Sequence, residues 1–157
     1  MLFGQNMISV RRASPEDANQ LTQITISAKR HWNYPENWMQ LWIPALSIYP
    51  EYISENETWM VVEDENPIAY YSLKYDGEYL WLDNLWVLPK RMEQGIGRRL
   101  FLHAVERVCL CGIKILKIEA DSNAVEFYEK MGARIVGEHR SEVDGQPRSL
   151  PFMEINL

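Results

Sequence analysis

The hydrophobic and polar positions of this chain switch between two periods, and the switches mark its elements. Residues 7–12 alternate as an edge strand does. Ser14-Pro15-Glu16-Asp17 has the layout of a helix start, with a serine cap, a proline in the first turn and two acids after it. Leu21, Ile24 and Ala28 give the following helix an apolar stripe that ends near Lys29-Arg30. His31-Trp32-Asn33-Tyr34-Pro35 reads as an aromatic loop. Trp38, Leu41 and Trp42 predict a second helix, limited by Pro44.

The period then drops to two. Residues 57–63 and 68–75 read as strands around a turn at Asp64-Glu65-Asn66-Pro67, and Asp76-Gly77 leads into a long strand over 78–88. Helical spacing returns with Ile96, Leu100, Ala104 and Val108, which predict a helix from Gln94 to about Cys111, stopped by Gly112. An apolar strand over 113–120 and a helix closed by Gly132 follow. Residues 134–138 and 151–157 form closing strands around Asp144-Gly145-Gln146-Pro147. The order is β-α-α-β-β-β-α-β-α-β-β. It predicts an α+β fold with a central mixed sheet flanked by helices. No repeat or linker divides the chain, so residues 1–157 are expected to form one domain.

Composition narrows the partners. The net charge is −6 with no basic block, which argues against a nucleic-acid footprint and suits a cationic substrate. No apolar run is long enough to span a membrane, and the N-terminus lacks the layout of a secretion signal. A cytoplasmic location is therefore expected. The two cysteines, Cys109 and Cys111, lie two apart near a helix end, where their side chains diverge and cannot close a disulfide. They read as buried or half-buried thiols. No Cys/His set has metal-ligand spacing, so no metal is expected.

The strongest chemical signal is the stretch 85–100. An apolar strand stops at Pro89, a short basic loop follows, and Gly95-Ile96-Gly97 opens an amphipathic helix. Backbone N–H groups at such a helix start, with glycines allowing close approach, make an anion site. About thirty residues on stands Ala124-Val125-Glu126-Phe127-Tyr128-Glu129-Lys130-Met131-Gly132-Ala133. Together, in this order, with Val87-Leu88-Pro89 before the loop, these stretches resemble the GNAT superfamily of acyl-CoA-dependent N-acetyltransferases. The likeness covers residues 7–157. Met92 and Glu93 depart from the family pattern, which has Arg or Gln and often Gly there. Arg91 sits one position early to supply the charge. Asp121 stands where the family often has an Asn that contacts CoA.

The resemblance implies acetyl-CoA as co-substrate and a primary amine as acceptor, with direct attack in a ternary complex. Transfer of another acyl group and CoA binding without turnover are the alternatives. The implied pyrophosphate cradle is Gln94, Gly95, Ile96, Gly97, Arg98 and Arg99, assisted by Arg91 and by Asn123 on the later helix. The pantetheine arm is implied to pair with the strand backbone at Leu85, Trp86 and Val87. Tyr128 is the candidate acid for the leaving thiolate. Asp83 and Glu119 are alternative bases, and strand alternation places Asp83 on the face of Trp81, Leu85 and Val87. His31, Trp32, Tyr34 and Trp38 are the candidate acceptor wall. His103 and His139 read as structural or solvated. Similar proteins pair through late strands, and the apolar run Leu150-Pro151-Phe152-Met153-Glu154-Ile155 suggests a homodimer.

Overall fold

A computed structural model describes residues 7–157. The N-terminal residues 1–6, where the absence of a secretion signal was read, lie outside the described residues. The elements follow the order β1 (Ile8–Arg12), α1 (Ala18–Arg30), α2 (Glu36–Leu46), α3 (Pro50–Glu55), β2 (Glu57–Glu63), β3 (Asn66–Tyr75), β4 (Leu80–Val87), α4 (Ile96–Leu110), β5 (Ile115–Glu119), α5 (Val125–Lys130), β6 (Arg134–Val143) and β7 (Gln146–Asn156). One element escaped the sequence pattern. The helix α3 is six residues long, too short to show a period, and only Pro50 at its first position announces it. Pro44 does not end α2, which continues to Leu46. The last two strands extend further towards their shared turn than residues 138 and 151.

The seven strands form one mixed sheet in the order β1-β2-β3-β4-β5-β7-β6. Helices α4 and α5 cover one face, over a core that includes Tyr71, Leu82, Leu100, Phe101, Leu116, Ile118, Tyr128 and Met153. Helices α1 and α3 cover the other, over Leu21, Ile24, Ile53, Met60, Val62 and Tyr70. Ser14 caps the 3-10 turn Pro15–Asp17 that leads into α1, its N–H donating to Asp17 Oδ2 at 2.8 Å.

Two irregularities position the site. β4 and β5 run parallel but pair only at Leu80–Leu116 and Trp81–Lys117. Beyond Trp81 the strands part, and β4 keeps only its β3 neighbour. The second irregularity is a bulge in β4: Ser72 pairs with Asn84 and Leu73 with Leu82, leaving Asp83 as the extra residue.

β7 lies between β5 and β6, with Met153 fully buried and the rest of the run 150–155 half-buried. One expectation changes. Cys109 and Cys111 are free and exposed, because the stripe through Leu100, Ala104 and Val108 turns them towards solvent at the end of α4. Among the described residues no helix is long and apolar enough to cross a membrane. No group of His, Cys, Asp and Glu among them could hold a metal ion.

Candidate active site

The parting of β4 and β5 opens a cleft of about 1540 Å³. One end is built from backbone. Pro89–Arg91 makes a single 3-10 turn, and Glu93 and Gly95 both take left-handed conformations, at φ of 63° and 81°. The Gly95 conformation suits glycine, and Gly95 caps α4 without a side chain. The first backbone hydrogen bond of α4 runs from the Arg99 N–H to the Gly95 carbonyl at 3.0 Å. The N–H groups of Ile96, Gly97 and Arg98 precede it and carry the positive end of the helix dipole. Gly97 packs close to its neighbours: a Cβ there would meet Phe127 at 3.6 Å and Val87 at 3.8 Å.

The side chains of the cradle divide. Arg98, Gly95, Gly97 and Arg91 line the cleft. Arg91 is held by Glu63 in a two-pronged pair at 2.7 and 2.8 Å and donates through Nε to Gln94 at 3.1 Å. It therefore fixes the loop to β2 rather than standing free for a ligand, and Gln94 is tied into the same loop. The Ile96 side chain is buried in the core, so only its backbone can serve an anion. Arg99 leaves the cleft altogether. It borders a small depression on the other side of α4, with Ile8 and His103, because successive positions on a helix point about 100° apart.

Leu85, Trp86 and Val87 line the cleft along the β4 edge that lacks a β5 partner. A free strand edge of this kind, next to helix N–H groups, suits an arm bearing amides and a pyrophosphate. The residues present thus fit a CoA-type ligand. Tyr128 lines the cleft as well. Its ring packs against Phe101 and Phe127, and no described residue hydrogen-bonds its hydroxyl. Burial, with a smaller push from Asp121, raises the Tyr128 phenol well above its ordinary pKa, so it stays protonated at neutral pH.

The other end of the cleft is built from side chains. The bulge corrects the expected alternation. Leu85 and Val87 pack under α4, while Asp83 accepts a hydrogen bond from Tyr52 of α3, on the opposite face. Asn84 follows it there and donates to Ser72 at 2.9 Å, and the Trp86 indole donates to Asn84 at 3.0 Å. Tyr52 also meets Ser72 at 2.7 Å, and burial followed by the Asp83 charge raises its pKa. Asp83 thus shares its face with Asn84 and Trp86 rather than with Leu85 and Val87. Across the cleft, Glu119 meets the His139 imidazole at 2.7 Å. His139 was read as structural or solvated; it lines the cleft. Only the pairing of β5 with β7 and of β7 with β6 brings Glu119 and His139 together, so no local spacing signals the pair. His103 is structural, bonded to Tyr71 at 2.7 Å on the far side of the sheet.

The aromatic segment divides as well. His31 and Trp32 line the cleft. Tyr34 and Trp38 lie behind it and, with Trp42, form a box of rings. The box encloses cations of this chain. Lys29 stands 4.7 Å from the Tyr34 and Trp42 ring centres, and Arg148 stands 4.9 and 4.4 Å from the same two. Asp121 accepts from Lys29, from Tyr34 at 3.0 Å and from Arg148 at 3.5 Å. Asn123 donates to Tyr34 at 3.0 Å. The side chain of Asp121, at the position where the family often has an Asn, is therefore turned into this cluster. Burial would raise its carboxyl, but the Lys29 charge and the hydrogen bonds from Lys29, the Asn123 N–H and Tyr34 together outweigh that and hold it below the usual carboxylate range. Burial lowers the Lys29 ammonium against the opposing pull of Asp121.

The sequence model of the Acetyltransferase (GNAT) family matches residues 20–133. The chain belongs to that family. Membership makes it an acyl-CoA-dependent acetyltransferase by class. It is 29% identical over 151 residues to the peptidyl-lysine N-acetyltransferase YjaB of Salmonella typhimurium, covering 95% of this chain and 97% of that protein. The Escherichia coli K12 protein of the same name is 28% identical over 153 residues, covering 95% and 96%. Solved GNAT structures share the fold. A GCN5-related N-acetyltransferase from Rhodopseudomonas palustris superposes with a TM-score of 0.82 at 23% identity, over 100% of this chain and 99% of that one. The PaiA N-acetyltransferase of Thermoplasma acidophilum, in complex with coenzyme A, gives 0.78 at 21% identity, over 96% and 99%.

Proposed function

We propose that this GNAT protein moves the acetyl group of acetyl-CoA to the side-chain amine of a lysine residue, by direct attack in a ternary complex. The observation that carries the reading is the cleft between β4 and β5, lined by the start of α4, by Tyr128 and by the two carboxylates Asp83 and Glu119. The YjaB relatives, described as acting on peptidyl lysine, support the acceptor class.

Acetyl-CoA supplies the activated acyl group when bound. The N–H groups of Ile96, Gly97 and Arg98, with the Arg98 guanidinium, hold its pyrophosphate. Each charge-assisted hydrogen bond there contributes about 1.5–3 kcal/mol. The β4 edge at Leu85–Val87 aligns the pantetheine. Asp83 and Glu119 draw the ammonium of the acceptor into the mouth. The amine attacks the carbonyl carbon, and Tyr128 gives its proton to the departing sulfur. A free ammonium has a pKa near 10 and cannot attack, so a group at the mouth must take one of its protons first.

Titration calorimetry with acetyl-CoA, followed by a thiol-release assay over lysyl peptides and small amines, tests this. Micromolar binding and turnover of a lysyl peptide are expected. Turnover of small amines alone would refute the lysine reading, and no acetyl-CoA binding would refute the whole.

A further inference from the structure

His139 has the position and tautomer of a proton acceptor, and this inference rests on the acetyltransferase reading above. Its Nδ1 lies 2.7 Å from Glu119 Oε1. A carboxylate can only accept, so Nδ1 carries the ring proton and Nε2 keeps its lone pair. No described residue hydrogen-bonds Nε2. The ring is stacked on Phe152, with centroids 5.9 Å apart and 7° between the planes. Glu119 and Phe152 thus set its orientation from two sides. Phe152 in turn meets Trp81 at 5.7 Å, and Trp81 is the last β4 residue paired to β5. The imidazole therefore belongs to the point where the strands part, and it lines the same cleft as Tyr128.

The alternatives fit less well. Asp83 already accepts the Tyr52 hydroxyl. His31 has only Trp32 beside it, and His103 is bonded to Tyr71 away from the cleft. The charged group that faces His139 from β5 is Glu119. β7 offers the uncharged Phe152 and Leu150, and on β6 itself Glu138 and Arg140 pair with each other at 2.7 Å.

We infer that His139 Nε2 takes the proton of the acceptor ammonium, with Glu119 as its positioning residue. The protons balance. Of the three on the ammonium, one stays on the amide nitrogen. One is lost to solvent as the N–C bond forms and the C–S bond breaks, and Tyr128, having given its proton to the sulfur, takes one back from solvent, so the two cancel. The third leaves through His139 to solvent, which the half-exposed ring reaches directly.

The test uses the full chain, a lysyl peptide and acetyl-CoA. His139→Asn retains a donor for Glu119 but cannot titrate. It is expected to lower kcat/KM for the peptide about 10²-fold or more, to leave acetyl-CoA affinity unchanged, and to abolish the acid limb of the pH profile. Glu119→Ala removes the acceptor that holds Nδ1–H, so kcat should fall about tenfold with the peptide KM unchanged, and Glu119→Asp should restore part of that loss. A His139→Asn enzyme within threefold of wild type, or one that keeps the acid limb, overturns the assignment while the acetyltransferase reading stands. A wild-type enzyme without amine turnover overturns both.

Discussion

The two ends of the cleft are built from different materials. The proposed cofactor end uses backbone: a left-handed glycine, three helix N–H groups and a strand edge. The proposed acceptor end uses side chains drawn from α1, α3, β4, β5 and β6. Backbone sites tolerate change in neighbouring side chains, because the groups that bind are present in every residue. Met92 and Glu93 stand where the family has other residues, yet Glu93 adopts a left-handed conformation and the loop still delivers free N–H groups to the cleft. A side-chain site has no such tolerance.

Substitutions can break this contrast at several strengths. The largest effect is expected between the two ends. Tyr128→Phe should lower kcat about 10²–10³-fold and leave the acetyl-CoA dissociation constant within twofold, as read by single-turnover kinetics and calorimetry. An unchanged kcat would remove Tyr128 from proton transfer. Next comes the support of the acceptor wall. Asp121→Ala leaves Lys29 and Arg148 facing each other without a carboxylate, and their side chains are only 9% and 13% exposed. Losing one partner of such a pair costs about 3 kcal/mol or more, measurable by urea unfolding.

The same residue carries a pH signature. Its folded pKa is depressed, so its stabilisation is present above the unfolded carboxylate value near 4 and lost as pH falls through the folded one. Stability of the wild type should decline below about pH 4, and Asp121→Asn should decline less steeply over that window. At the cofactor end, Gly95→Ala meets no atom within 4 Å but must hold φ at 81°. Left-handed strain of about 1–2 kcal/mol should weaken acetyl-CoA binding by about tenfold. The smallest effect is expected on the surface: breaking the Glu126–Lys130 pair, at 3.3 Å and mostly exposed, should change stability by less than about 0.5 kcal/mol.

The contrast also explains what the sequence made legible. The strands and α4 carry clear periods, and the loop before α4 is contiguous in the chain, so its place and its two glycines were readable, whereas the tie of Arg91 to Glu63 and the turn of Arg99 out of the cleft were not. Tyr128 was readable because it stands in the same helical motif as Phe127 and Gly132. The acceptor end was not. Asp83 was assigned to the wrong face because a bulge has no period of its own. Tyr52 was missed with its six-residue helix. Glu119 and His139 stand twenty positions apart and meet only through the order of three strands. Tyr34 and Trp38 look like a substrate cage from their spacing, but Lys29 and Arg148 of the same chain stand over Tyr34 and Trp42, and Trp38 packs on those two rings.

The bulge at Asp83 has an evolutionary side. It acts as a phase marker in β4: every residue after it projects as though the chain had been counted from a different starting point. Removing Asp83 would join Leu82 to Asn84 in plain alternation and leave Leu85 beneath α4 and Trp86 towards Tyr52. One more residue after Asn84 would instead swap those two, sending an indole into the layer beneath α4 and a leucine towards Tyr52. The strand can therefore lose its extra residue without scrambling its two faces, but it cannot gain a second one. The tolerance of β4 to changes in length is one-sided.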